Sequence, residues 1–250
     1  MLSSTQIHFI SAFAIAACLG LGFYLSRKSR EKRNDHSSQL RILLLGIPTS
    51  GKTNQANLLS QYYNIPAISS SALIKKAISD HPEKYSEIES VMNKGGLVPS
   101  ELMIQLMQQR LKKPDCQNGF IIDGFPVKIE EAKTFETPDK KINIAIELQL
   151  SEEELKKRVD LITKSPRINT QLPSKKPVNT NDSNTRADDT AEVLQKRINT
   201  YKENLQTIRQ FYNNKSIYFS VLGDGTIDNT NTKIRAIIDS VISKKTGVKR

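Results

Sequence analysis

The sequence predicts an α/β fold in which a parallel sheet is covered by helices on both faces. Short apolar runs with the length of buried strands recur along the chain, and stretches with helical spacing separate them. A glycine-rich turn joins the first strand candidate to the first helical stretch. The chain has 250 residues, 37% hydrophobic and 25% charged, which is enough to bury a core in one or two domains.

The first strand candidate is Arg41 to Leu45, which ends at Gly46 as a buried parallel strand would. Helical spacing begins at Lys52 and fades near Tyr63. Later strands are predicted at 67–69, 120–123, 142–150 and 217–221. Helices are predicted in two further stretches, where residues recur at helical spacing: Leu102, Leu106 and Gln109 in one, and Leu194, Ile198 and Leu205 in the other.

Two local signals complete the element assignment. Ser151 and Glu154 form a capping-box pair, which predicts that another helix begins there. Residues 165–189 are rich in Pro, Asn, Thr and Ser and have little periodicity. A loop of that length inside a compact domain is usually functional or disordered.

An apolar run precedes this core and extends from Ile7 to Leu25. As a helix its nineteen residues would be about 28 Å long, close to the hydrocarbon thickness of a bilayer. No charged side chain precedes the run, whereas five cations follow it at once, namely Arg27, Lys28, Arg30, Lys32 and Arg33. The positive-inside bias then predicts a single-pass anchor with the remainder of the chain in the cytosol. We therefore expect residues 1–39 to form the anchor and basic linker, and residues 40–250 the core domain.

Other interpretations of this segment are weaker. A secretory signal would have a basic start and a small-residue cleavage site, whereas no charged side chain precedes this run. Ile15 to Cys18 looks like a lipoprotein box, but apolar residues continue past it to Leu25. A mitochondrial address stays open, although the run is more apolar than an amphipathic presequence. Cys18 and Cys116 are the two cysteines, so no disulfide framework is expected and a reducing compartment is favoured.

The formal net charge is +11, which suits phosphorylated substrates, an anionic membrane or nucleic acid. A solvated lysine-rich surface explains it equally well. The pattern G-x-x-x-x-G-K-[ST] at residues 46–53 favours phosphorylated substrates, so we expect nucleotide substrates and no nucleic-acid partner.

Residues 46–53 match the pattern G-x-x-x-x-G-K-[ST] between a predicted strand and a predicted helix. Glycines let backbone N–H groups converge on phosphate oxygens, and the following helix adds its positive N-terminal end. Lys52 is predicted to reach the β- and γ-phosphates of ATP, and Thr53 to lie near Mg²⁺. The remaining nucleotide-binding residues predicted in the loop are Gly46, Pro48, Ser50 and Gly51.

Further motifs resemble those of adenylate kinases. The loop GIPTSGKTNQ is similar to the family's GxPGSGKGTQ. The other matching segments are Asp123–Pro126 (D-G-F-P), Ile65–Ser69 (the entry to the AMP site), Gly95–Pro99 (the G-x-L-V-P turn) and Arg186–Asp189 followed by Arg197 (the R-x-D-D…R stretch at the edge of the lid). The sequence from about residue 40 to 243 therefore resembles this family.

The resemblance implies a five-stranded parallel P-loop core with an NMP-binding segment at about 69–98 and a lid at about 163–189. It implies phosphoryl transfer from Mg-ATP to AMP, and we expect the catalytic domain to be monomeric. That chemistry depends mostly on positioning and electrostatic stabilisation. By the resemblance, Lys52, Arg186 and Arg197 supply the cations, Asp123 orients the hydrated Mg²⁺, and Arg158 covers the ATP base.

The acceptor side departs from the family pattern. Val127 stands where the family has an arginine that grips the AMP phosphate, and Glu131 where it has a glutamine that reads adenine. Lys75 replaces another arginine, keeping the charge without the bidentate fork, and Ile162 replaces a lid arginine. The acceptor is expected to contact Ser70, Lys75, Gly124 and Glu131.

Three functions follow from these features. The first is a nucleoside monophosphate kinase that uses Mg-ATP. The second is a catalytically weak, membrane-tethered ATP-binding module acting as a sensor or scaffold. The third is a P-loop kinase for another acceptor, such as CMP, UMP or a non-nucleotide. The motif set favours the first, whereas Val127 and Glu131 favour the other two.

Overall fold

A computed structural model describes residues 40–136, 141–164 and 190–246. Five strands form one parallel sheet in the order β2-β3-β1-β4-β5. Their bounds are Leu40–Leu45 (β1), Ala67–Ser69 (β2), Gly119–Asp123 (β3), Ile144–Gln149 (β4) and Tyr218–Leu222 (β5). The predicted parallel sheet is confirmed, with strand boundaries within two residues of those expected.

Helices follow the strands along the described parts of the chain. Their bounds are Lys52–Tyr63 (α1), Ser70–Asp80 (α2), Pro82–Asn93 (α3), Ser100–Leu111 (α4), Ile129–Phe135 (α5), Glu152–Lys164 (α6), Ala191–Asn214 (α7) and Ile227–Thr246 (α8), with a 3₁₀ turn at Pro114–Cys116. The helices predicted from 52, from 102 and from 194 correspond to α1, α4 and α7. Sequence spacing did not predict the separate helices α2 and α3, which lie within the proposed NMP-binding segment.

The alternation of side chains along β1 divides the core between the two faces of the sheet. Leu43 packs with the cluster that contains Met107 of α4 and Tyr212 of α7. Leu44 packs with Leu59 of α1 and the cluster that continues into α8. Since β1 is apolar on both faces, it takes the central position of a sheet covered on both sides.

The predicted capping box at α6 is only half formed. The Ser151 Oγ accepts from the Glu154 backbone N–H at 3.2 Å. The reciprocal bond is replaced, because the Ser151 N–H donates to Asp224 and the Glu154 carboxylate binds Arg158. The local pattern therefore predicted the helix start correctly, but the Ser151 N–H bonds to Asp224, 73 residues away, and the Glu154 carboxylate bonds to Arg158 in the next turn.

Two predictions fall outside the described residues. They are the membrane anchor at 7–25 and the larger part of the lid at 163–189. Within the ranges that are described, no helix has the length and apolarity needed to cross a bilayer.

Candidate active site

The predicted phosphate loop connects β1 to α1 at the carboxyl edge of the sheet, where ligands of such folds bind. Gly46 begins the loop because a Cβ there would lie 2.6 Å from the Leu148 carbonyl oxygen of β4. Gly51 has a φ of 91° at the N-cap of α1, a conformation that glycine adopts without strain. Thr49 is also left-handed, with a φ of 71°. The loop therefore curls tightly over the end of β1.

The Lys52 ammonium folds back over this loop. Its Nζ donates to the Ile47 carbonyl oxygen at 2.8 Å and lies 3.4 Å from the Ser50 Oγ. Burial lowers the pKa of Lys52, the Asp123 charge opposes this by raising it, and the Arg197 charge lowers it further. A half-buried ammonium that also feels the positive charge of Arg197 provides the electrostatic setting that a phosphate ligand would complement.

Tyr201 holds the loop from the side, and sequence reasoning did not identify it. Its hydroxyl accepts the Gly46 backbone N–H at 2.9 Å, and the Lys52 Nζ lies 5.8 Å from its ring centroid. Burial raises the pKa of this phenol. Tyr201 lies one turn after Arg197 in α7, on the same side of the helix. Its spacing from this predicted site residue is the sequence signal that could have identified it.

Thr53 and Asp123 come together, as the metal prediction requires. The Thr53 Oγ1 donates to the Asp123 Oδ2 at 2.5 Å, and Asp123 is buried at the end of β3. The hydroxyl and carboxylate supply oxygen donors, the ligand type that Mg²⁺ prefers. These two residues therefore fit a Mg²⁺ ion beside the loop.

Arg158 of α6 reaches across the top of the loop. Its guanidinium donates to the Thr49 carbonyl oxygen at 3.0 Å and to the Gly223 carbonyl oxygen at 2.8 Å, while Glu154 accepts from its Nε at 2.7 Å. The side chain thus joins the phosphate loop to the β5–α8 connection. Its predicted place over the ATP base stays a prediction.

On the acceptor side, Ser70 and Gly124 are in direct contact. The Ser70 Oγ donates to the Gly124 carbonyl oxygen at 2.8 Å, and a Cβ on Gly124 would lie 2.6 Å from that Oγ. The left-handed φ of 79° at Gly124 gives a second reason for glycine there. Lys75 is exposed on α2, one residue after the buried Ile74.

Glu131 is committed to the protein backbone. Its Oε2 accepts from the Val127 N–H at 2.7 Å and the Lys128 N–H at 3.2 Å, and the residue is only 3% exposed. It therefore satisfies donors at the start of α5. Val127 packs against an apolar cluster that includes Ile47 of the loop and Tyr201.

Of the two predicted lid cations, the structure describes Arg197. Arg197 lies on α7, and its Cγ is close to Gly95 of the turn between α3 and α4. The Lys196 Nζ donates to the Lys94 carbonyl oxygen at 3.3 Å beside it. Arg186 lies outside the described residues.

Comparison with known proteins gives matches over most of the chain. The sequence model described as adenylate kinase matches residues 44–217. An adenylate kinase of Archaeoglobus fulgidus is 30% identical over 221 residues, which cover 82% of this chain and 100% of the relative. An adenylate kinase of Coxiella burnetii, strain Dugway 5J108-111, is 30% identical over 225 residues, covering 83% of this chain and 97% of the relative.

Proposed function

Because the chain belongs to the adenylate kinase family, we propose that it phosphorylates a nucleoside monophosphate at an acceptor site that holds AMP poorly. Membership in the family makes the protein a phosphotransferase with Mg-ATP as donor. The choice of acceptor is the part proposed here. One observation carries it: Val127 lies in an apolar cluster where the family pattern has the arginine that grips the AMP phosphate.

The donor side supports ordinary use of ATP. The loop N–H groups and the N-terminus of α1 would hold the phosphates, and Lys52 would move its ammonium from the Ile47 carbonyl to their oxygens. Thr53 and Asp123 would hold Mg²⁺, which when bound neutralises phosphate charge. Arg197, whose charge acts on Lys52, would add a second positive charge.

The acceptor side supports weak binding of AMP. A guanidinium holds a phosphate through two parallel bonds, and Val127 can donate none from its side chain. Lys75 offers only a point charge from α2. Glu131 already accepts two backbone N–H bonds, so one of its oxygens is unavailable for reading a base. AMP therefore lacks the contacts that would orient its phosphate in line with the donor.

The same contacts favour a second candidate, a catalytically weak ATP-binding module that acts as a sensor or scaffold. The two backbone bonds of Glu131 and the apolar packing of the half-buried Val127 would then reflect loss of acceptor binding rather than a change of acceptor. A kinase for another acceptor, such as CMP, UMP or a non-nucleotide, would instead keep turnover.

A coupled assay with Mg-ATP and each of AMP, CMP and UMP tests these alternatives. We expect low kcat and high KM with AMP, and Mg-ATP binding that is lost in Lys52→Ala by calorimetry. Turnover of AMP in the range of about 1–100 per second would contradict the altered acceptor site. Binding of Mg-ATP without turnover of any of the three would favour the module. Equal affinity of wild type and Lys52→Ala for Mg-ATP would refute the loop assignment.

We also propose that residues 7–25 anchor this kinase to a membrane with the catalytic domain in the cytosol. The length of the apolar run and the five cations that follow it support this. A cytosolic domain would also have access to cellular nucleotide.

A further inference from the structure

The strands of the sheet all begin at one face of the domain, opposite the phosphate loop. Leu40, Gly119 and Ile144 open three parallel strands there, and Tyr218 opens a fourth beside them. The helices that return from the loop edge, such as α1 and α8, end at the same face. β1 has six residues, so this face lies about 20 Å from the phosphate loop at 3.3 Å per residue.

This face carries a group of cations, which we call the basic face: Arg41, Lys112, Lys113, Lys141 and Lys244. Arg41 is in β1, and its backbone N–H donates to the Asn143 side chain just before β4 at 2.8 Å. Lys112 and Lys113 follow α4 and lead into β3, Lys141 precedes β4, and Lys244 is in the last turn of α8.

Within the described ranges, the basic face is not neutralised by carboxylates. Two carboxylates near it are bound by other cations, since Asp115 pairs with Arg110 at 2.7 Å and Glu136 pairs with Lys215. None of the five cations of the basic face forms an ion pair with a described carboxylate. The four lysines are exposed and Arg41 is half-buried, so most of this positive charge faces solvent.

Helix dipoles explain only part of this pattern. A cation near a helix C-terminus is favourable, and Lys112 and Lys244 occupy such positions. Arg41 lies in a strand, however, and Lys141 comes just before one. The charge thus belongs to the whole face rather than to individual helix ends.

The segment outside the structure joins the domain at this same face. Residues 26–39 lead directly into Leu40, the first residue of β1, and carry the five cations from Arg27 to Arg33. Fourteen residues can span at most about 50 Å, at 3.3–3.6 Å per residue. If residues 7–25 are in a bilayer, the linker keeps the face that begins at Leu40 within about 50 Å of its surface, and the charge of the face then decides the orientation.

We propose that the basic face lies against anionic lipid headgroups, with the phosphate loop and the acceptor side turned away from the membrane. This rests on the anchor proposed above, and not on the identity of the acceptor. Lysine and arginine side chains near an anionic leaflet are attracted within about a Debye length, which is about 8 Å at physiological salt. In this orientation nucleotides enter from the cytosol.

The test reconstitutes the full chain in bilayer discs, either neutral phosphatidylcholine or with about a third phosphatidylserine to supply the anionic surface. A lysine-reactive reagent and mass spectrometry then measure the labelling rate of each lysine. We expect Lys112, Lys113 and Lys141 to react at least about threefold more slowly in anionic than in neutral discs, because the lipid charge draws the face to the surface. Lys156 and Lys157 of α6, at the loop edge, should react equally in both. At 1 M salt, where the Debye length is about 3 Å, the difference should disappear.

Matched variants test the charge directly. Lys112→Glu/Lys113→Glu should abolish the protection of Lys141, whereas Lys156→Glu/Lys157→Glu, with the same change of charge, should leave it intact. Equal labelling of the basic face in both discs would overturn the proposal, as would protection by single-stranded RNA in neutral discs without any effect of phosphatidylserine. A chain that fails to insert would overturn it together with the anchor, while kinase turnover in the same sample reports on the proposed function separately.

Discussion

The Tyr201 hydroxyl is the point at which α7 holds the phosphate loop. It accepts the buried Gly46 N–H, and its ring covers Lys52. Removing only the hydroxyl keeps the ring packing but leaves the buried Gly46 N–H without its acceptor, which costs about 1–3 kcal/mol of folding free energy. The loop would then lose one constraint on the position of its first residue.

We therefore predict that Tyr201→Phe lowers kcat by roughly three- to thirtyfold, because a small misplacement of phosphate-binding groups is costly in phosphoryl transfer. The KM for the acceptor should change little, since Tyr201 contacts the donor loop. Steady-state kinetics and thermal denaturation measure both effects. Tyr63→Phe is the control, because it loses a hydroxyl bonded to exposed Asp239. Equal effects in the two variants would show that Tyr201 has no special role at the loop.

A second prediction concerns Val127→Arg. Regaining a charge-assisted contact with the AMP phosphate should raise kcat/KM for AMP by about ten- to a thousandfold. The variant should also lose about 1–2 kcal/mol of stability, because the valine leaves its contacts with Ile47 and Tyr201.

Lys128→Arg, which changes the neighbouring cation without adding a charge, is the control and should leave AMP kinetics near wild type. Activity with AMP that does not rise in Val127→Arg, while Mg-ATP still binds, would favour the sensor or another acceptor over the proposed kinase.

At the scale of elements, the phosphate loop contains a non-glycine residue in an unfavourable backbone conformation. Thr49 has a φ of 71°, its Oγ1 is buried without a hydrogen bond among the described residues, and its carbonyl accepts from Arg158. A β-branched residue in the left-handed region costs about 1–2 kcal/mol. The similar adenylate kinase loop pattern has glycine at this position.

We expect Thr49→Gly to stabilise the folded protein by about 1 kcal/mol, since relief of the strain and of the unpaired hydroxyl outweighs the entropy of an added glycine. Urea unfolding measures the difference. Asn64→Gly is the matched control: Asn64 has a φ of 55° at the end of α1, and asparagine tolerates that region well, so its change should be small. A loss of stability in Thr49→Gly would mean that the threonine makes a compensating contact.

The sequence predicted the elements of the site better than the contacts between them. The strand at Leu40–Leu45 and the loop after it follow from local pattern, because apolar run, glycines and lysine are consecutive. Tyr201 is 155 residues from Gly46, and Gly223 is 65 residues from Arg158. No local pattern reports such pairs. The use of Glu131 as a backbone acceptor was likewise hidden, since a carboxylate can serve a ligand or a helix start equally well.

Helix α7 connects several parts of the molecule that sequence alone treats separately. Arg197 lies near its beginning beside Gly95, Tyr201 holds the loop, and Arg209 binds the buried Glu147 of β4 together with the Tyr218 hydroxyl. A buried carboxylate is tolerated in the sheet because these two partners satisfy it. A shift of this one helix would therefore change contacts at the turn around Gly95, at the phosphate loop and in the sheet.

For the molecule as a whole, the final prediction separates the catalytic domain from the anchor. A chain that starts at Gln39 keeps every strand of the sheet, because β1 begins at Leu40, and it keeps all the contacts described for the site. It should fold, bind Mg-ATP and remain in the supernatant, whereas the full chain should pellet with membranes and resist alkaline carbonate. Circular dichroism, calorimetry and fractionation measure these outcomes. The control is the full chain with Ala16→Asp and Leu19→Asp, each costing about 2.5–3.5 kcal/mol at a bilayer centre, which should release it from membranes while leaving catalysis unchanged. A full chain with an intact N-terminus that stays in the supernatant would refute the anchor. A truncated chain that fails to fold would mean that residues before Leu40 contribute to the core.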